Sequence, residues 1–129
     1  MRVPAIPLFG LIFSVAISAQ VGQGGWSSKT SMSMPRTETG AAYVNGRIYV
    51  IAGGLGTMES STLVQEYDLK TDKWRERAAL PMPLSHAGVA ALNGKVYVVG
   101  GFLKNVHLYA QPYAFEYDPR RTRGARCRG

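Results

Sequence analysis

Residues 34–54, MPRTETGAAYVNGRIYVIAGG, return as residues 82–101, MPLSHAGVAALNGKVYVVGG. Pro35 and Pro83, Gly40 and Gly88, Asn45-Gly46 and Asn93-Gly94, and Tyr49 and Tyr97 each stand 48 residues apart. Trp26 and Trp74 keep that separation, and Glu66-Tyr67-Asp68 returns 50 residues on as Glu116-Tyr117-Asp118. The second unit therefore holds two extra residues between Tyr97 and its Tyr-Asp pair. A chain repeating at this period uses one supersecondary unit more than once. Each unit buries its apolar face against the next one rather than within itself.

Each unit reads as a four-stranded antiparallel sheet with strands a, b, c and d. Ala41-Ala42-Tyr43-Val44, Asn45-Gly46 and Arg47-Ile48-Tyr49-Val50-Ile51 spell a hairpin. Asn-Gly suits a type I′ turn, whose two central residues both need positive φ. Residues 90–99 repeat the pattern through Asn93-Gly94. The near-continuous apolar b strands predict burial on both faces. The glycines after them, Gly53-Gly54 and Gly100-Gly101, leave room where backbones approach closely. Residues 63–69 and 72–78 read as strands c and d, joined at Lys70-Thr71, with Asp72 placed to accept turn amides.

The di-glycine after an apolar strand, then a Tyr-Asp pair, then a Trp resembles the kelch repeat. Here the marks are Gly53-Gly54, Tyr67-Asp68 and Trp74, then Gly100-Gly101 and Tyr117-Asp118 with no second Trp. The resemblance covers residues 26–118 and implies an all-β chain of about two four-stranded blades, part of a β-propeller. Trp74 and Tyr67 are then packing residues between blades. Trp26 precedes Met34-Pro35 as Trp74 precedes Met82-Pro83, so residues 26–30 are expected to form a lone strand d. The order becomes d, then abcd, then abc. Propellers need about four to eight blades. Two units are thus expected to be unstable alone, to aggregate, or to self-associate through uncovered blade faces.

The two ends lie outside this pattern. Arg2, an apolar run through Leu8, Phe9, Leu11, Ile12, Phe13, Val15 and Ile17, and small Ser18-Ala19 read as a signal peptide over residues 1–19. The run is broken by Gly10 and Ser14 and falls short of the ~20 apolar residues of a spanning helix. A secreted or periplasmic protein, with no membrane span after cleavage, is the expectation. The repeats then occupy residues 20–118, and residues 119–129 form a basic tail without strand periodicity, expected to be disordered. That ending reads as a truncated or frame-shifted end of a longer propeller. Arg2 and tail residues Arg120, Arg121, Arg123, Arg126 and Arg128 carry six of the seven net positive charges. The repeats are close to neutral, which argues against a nucleic-acid partner. Cys127 is the single cysteine and has no internal partner.

No catalytic constellation is legible. His86 and His107 show no metal-ligand spacing and have no cysteine or carboxylate cluster beside them in sequence. Nucleophile-elbow and phosphate-loop motifs are absent. No catalytic residue, metal or cofactor is therefore expected. The recurring carboxylates Glu66, Asp68, Glu116 and Asp118 suggest structural work. In kelch propellers the d–a and b–c loops gather on one face, which here means residues 32–38, 55–62, 82–86 and 102–112. The resemblance thus implies a non-catalytic binding module for a protein or carbohydrate, with Arg36, His86, Lys104, His107 and Tyr109 as candidate contacts. An exported kelch enzyme such as a sialic acid mutarotase is the alternative. The Leu80-Pro81-Met82-Pro83-Leu84-Ser85-His86 stretch leading into strand a resembles exported bacterial kelch proteins more than cytoplasmic ubiquitin-ligase adaptors.

Overall fold

The computed structural model describes residues 24–121 and the backbone of Arg126–Cys127. The signal-peptide reading of residues 1–19 lies outside them. Among the described residues there is no helix, hence none long and apolar enough to cross a membrane. Strands β1 (Gly40–Val44), β2 (Arg47–Ile51), β3 (Val64–Asp68) and β4 (Lys73–Glu76) form one antiparallel sheet in that order. Strands β5 (Gly88–Leu92), β6 (Lys95–Val99), β9 (Ala114–Tyr117) and β10 (Arg126–Cys127) form the second. These are the two expected blades.

The hairpin chemistry follows the sequence closely. Asn45 and Gly46 sit at φ 50° and 79°, and Asn93 and Gly94 at 51° and 76°. These values fit a type I′ turn, whose twist matches that of the flanking strands. Replacing Gly46 by alanine is expected to lower stability by about 1 kcal/mol, because only the positive φ opposes it. A β-carbon there meets no atom within 4 Å. The shift in the chemical-denaturation midpoint measures this.

The two blades stack face to face. In β2, Tyr49, Val50 and Ile51 are all buried, which matches the prediction of burial on both faces. In β6 only Val96 and Val98 are buried, while Val99 is open. The prediction fails there because only one face of β6 has a blade against it. Ala42, Val44, Tyr49, Ile51 and Val64 from the first blade pack on Val96, Val98, Phe115 and Tyr117 from the second. Tyr49 and Tyr117 meet edge to face at 5.8 Å. Leu80 and Leu84, on the segment between blades, complete this core.

Three features depart from expectation. Residues 26–30 form no strand, and Trp26 is fully exposed. A strand needs a ladder partner, and no strand c of a preceding blade stands beside this segment among the described residues. The segment is tied down by side chains instead. Thr30 N donates to Asp72 Oδ1 (3.0 Å), Trp74 Nε1 donates to Thr30 O (2.6 Å), and Gln65 Nε2 donates to Ser33 Oγ (2.9 Å). The second departure is a small hairpin inside loop 102–112, formed by β7 (Phe102–Lys104) and β8 (Leu108–Ala110). The third is β10, in a tail that showed no strand periodicity. Arg126 pairs with Glu116 and Cys127 with Phe115, so the backbone takes the outer position of the blade. Backbone ladders tolerate any residue with a free N–H and C=O, so side-chain periodicity carried no warning.

The repeated Tyr-Asp pair has distinct roles. Asp68 Oδ1 accepts from Lys70 N (3.0 Å) and Thr71 N (3.3 Å), so Asp68, rather than Asp72, holds the c–d turn. Asp118 accepts from Arg120 N at 3.0 Å in the same way. The Arg120 side chain and turn amide hold the Asp118 carboxyl down at about 2. Asp72 accepts from Tyr67 OH, and that bond pushes the Tyr67 phenol up to about 12. The Tyr67 ring packs on Trp74 at 5.0 Å within one blade. Tyr67 and Trp74 therefore seat the N-terminal segment, while Tyr117 makes the contact between blades.

Candidate binding face

The b–c connections and the segments leading into strand a meet at the end of the blades opposite the Asn-Gly turns. The glycine pairs bring them together. Gly53 N donates to Leu84 O (2.8 Å), and Ser61 N donates to Gly53 O (2.8 Å). A β-carbon on Gly53 would lie 2.5 Å from Thr37 O, and one on Gly101 would lie 2.8 Å from Ser85 O. Both residues also have φ above 100°. Gly54 pairs with Thr37 through N→O bonds of 2.8 and 3.0 Å. Phe102 and Ser85 exchange the equivalent pair in the second blade, at 2.9 and 3.0 Å.

This packing brings His86 and His107 together, their ring centroids 4.1 Å apart. Phe102 presents its ring edge-on to both, at 5.9 Å from His86 and 5.2 Å from His107. His86 Nε2 stands 3.2 Å from Glu38 Oε2, and His86 Nδ1 stands 3.2 Å from Ser85 Oγ. His86 N donates to Glu38 O at 3.1 Å, which fixes the segments before β1 and β5 side by side. Glu38, His86, His107 and Tyr109 all have φ between 52° and 60°. Non-glycine residues avoid that region unless their surroundings impose it, and such strain concentrates at functional surfaces.

The other candidates are placed differently. Arg36 turns into the first blade. Its Nη1 donates to Ala52 O (2.8 Å) and Leu63 O (3.0 Å), and its Nη2 to Gln65 Oε1 (2.9 Å). Burial pulls its guanidinium below the usual arginine range. It is thus a brace for backbone carbonyls and not a contact at the mouth of the face. Lys104 pairs with Glu59, and Asn105 N donates to Met58 O (2.9 Å), so the two b–c loops are zipped edge to edge. Tyr109 stands 66% exposed on β8. Met58, Val106 and Leu108 are exposed with it, giving the zipped loops an apolar rim. Sequence reasoning missed Glu38, Ser85, Phe102 and this rim. Their only signal was membership of the loops at the ends of strands a and b.

The arrangement offers imidazole, carboxylate and hydroxyl groups beside aromatic and aliphatic surface, which suits reversible contact. Among the described residues no group of three or more His, Cys, Asp or Glu side chains is placed to hold a metal ion. A shallow cleft lined by Tyr43, Asn45, Leu92 and Asn93 lies at the other end, between the Asn-Gly turns, and holds no titratable cluster. No curated protein matches the chain. A family model described as Kelch motif matches residues 35–81 and again 83–121. With two matched repeats folded as two stacked antiparallel blades, the chain belongs to the kelch-repeat family.

Proposed function

We propose that this chain is a non-catalytic interaction module that binds a protein partner through the zipped b–c loops and the His86–His107 cluster. Kelch repeats generally mediate protein interactions. The observation that carries the reading further is the exposed apolar rim of Met58, Val106, Leu108 and Tyr109 around the two adjoining imidazoles. Aromatic and methionine side chains beside a few polar groups are enriched in protein interfaces. A carbohydrate is the other ligand class this face suits, through Tyr109 and the imidazoles. Peptides selected by display against the chain separate the two, alongside a glycan array. Selected peptides are expected to lose at least about tenfold in affinity on Tyr109→Ala or His107→Ala. Undiminished binding to both variants overturns the site, and glycan binding lost on the same substitutions assigns it to carbohydrate.

Export belongs to the same reading, on the strength of the leader pattern in residues 1–19. Mass spectrometry of the exported chain is expected to find Gln20 as its first residue. A chain retained with Met1 overturns that expectation.

A further inference from the structure

The blade-to-blade interface has two sides, and the 48-residue repeat places a second copy of each side elsewhere on the chain. One side is Ala42, Val44, Tyr49, Ile51 and Val64, all buried. Their counterparts on the second blade are Ala90, Leu92, Tyr97, Val99 and Ala114, which face away from the first blade. Val44 and Ile51 are 5% and 1% exposed, whereas Leu92 and Val99 are 60% and 54% exposed. The polar signature recurs too. Tyr97 OH donates to Glu116 Oε2 (2.9 Å) and Lys95 Nζ to Glu116 Oε1 (2.7 Å). Tyr49 and Arg47 stand in the same relation to Glu66, at 2.9 and 2.8 Å.

A glycine marks the same surface. A β-carbon at Gly40 would lie 2.1 Å from Val89 Cγ2 of the adjoining blade, so that position must be bare. Gly88 is its counterpart. A β-carbon there would meet only Val99 O at 3.5 Å, and Gly88 does not have positive φ. Neither space nor backbone conformation within this chain calls for glycine at 88. A blade docked on that face, as the second blade docks on Gly40, does call for it.

The opposite side of the interface is also duplicated. Val89, Val96, Val98 and Tyr117 have Ala41, Ile48, Val50 and Tyr67 as counterparts on the outer face of the first blade. Tyr43 and Ala41 are exposed there. The N-terminal segment that crosses this face is no obstacle. Its counterpart, residues 77–84, crosses the internal interface and contributes buried Leu80 and Leu84.

We infer that the outer face of the second blade docks on the outer face of the first blade of another copy of this chain. The contact is head to tail and repeats the internal interface. Such a contact joins two different patches, so copies close into a ring where the rotation permits.

Two variants and their mixture test this, using the full chain under reducing conditions so that Cys127 cannot cross-link. One variant carries Leu92→Lys with Val99→Lys, and the other Ala41→Lys with Tyr43→Lys. All four positions are exposed in the single chain, so the lysines leave its fold intact, which circular dichroism checks. By light scattering, the unsubstituted chain is expected at a mass of two or more copies and each variant alone at one. An equal mixture of the variants is expected at two, because each supplies the face the other has lost. An unsubstituted chain that stays monomeric, variants that associate like it, or a mixture that stays monomeric each overturns the inference.

Discussion

Glu66→Ala is expected to cost about 3 kcal/mol of folding free energy, seen as a large fall in the denaturation midpoint. The Glu66 carboxylate is fully buried, with Arg75 Nη2 and Arg77 Nη2 each 2.6 Å away and Arg47 Nε at 2.8 Å. Tyr49 OH donates to it at 2.9 Å. Removing the carboxylate leaves the Arg75 and Arg77 guanidinium groups and a buried phenol without this acceptor, while Arg47 keeps Asp68 Oδ2 at 3.1 Å. The arginines are partly exposed and regain water, which keeps the loss below that of a fully buried pair. The same site predicts acid sensitivity. Burial alone would raise the Glu66 pKa, but the hydrogen bonds from Arg75, Arg77 and Tyr49 outweigh it and hold it below the usual 4.5. A depressed folded-state pKa stabilises the fold above the unfolded value, and that contribution is lost as pH falls through the folded value. Stability should therefore fall as pH drops below about 4.5. The fall should be shallower in Glu66→Gln, whose side chain does not titrate. Equal acid slopes for the two proteins would remove Glu66 from the explanation.

Gly53→Ala is expected to cost about 2–4 kcal/mol, several times the effect at Gly46. Both glycines have positive φ, so conformational strain alone does not separate them. The neighbours do. A β-carbon at Gly53 meets Thr37 O and Thr39 Cγ2 at 2.5 Å, whereas one at Gly46 meets nothing. Thr37 O belongs to the backbone and accepts from Gly54 N, so it cannot withdraw without breaking that bond. Thermal unfolding of the two variants side by side measures the difference. Equal losses would show that backbone conformation, and not close approach, selects glycine after strand b.

The contrast between these glycines shows what local sequence carries. Asn-Gly specifies a turn from two adjacent residues, and both hairpins formed in register. The di-glycine announced close approach, and the approach is present at Gly53 and Gly101. Arg36 reads differently in isolation and in place. Beside Pro35, in a loop, it looks like an open cation. Its acceptors, Ala52 O, Leu63 O and Gln65, lie 16 to 29 residues away, and no short window contains them. His86 and His107 have no sequence relationship either. They meet because Ser85 pairs with Phe102, and β7–β8 then folds the loop back over His86. Residues 26–30 carry the signature of strand d, yet they form no strand because an outer strand exists only beside its neighbour.

The amino-acid sequence by itself determined the unit of this protein. Period, turn chemistry, bare backbone after strand b and the Tyr-Asp turn each depend on residues close together in the chain, so a repeat of the words implies a repeat of the blade. Only the tertiary structure decided which surfaces are spent and which remain open. Burial depends on what lies across a face, and nothing within a strand records that. The same residues are therefore core in the first blade and exposed surface in the second, where Leu92 and Val99 await a covering face.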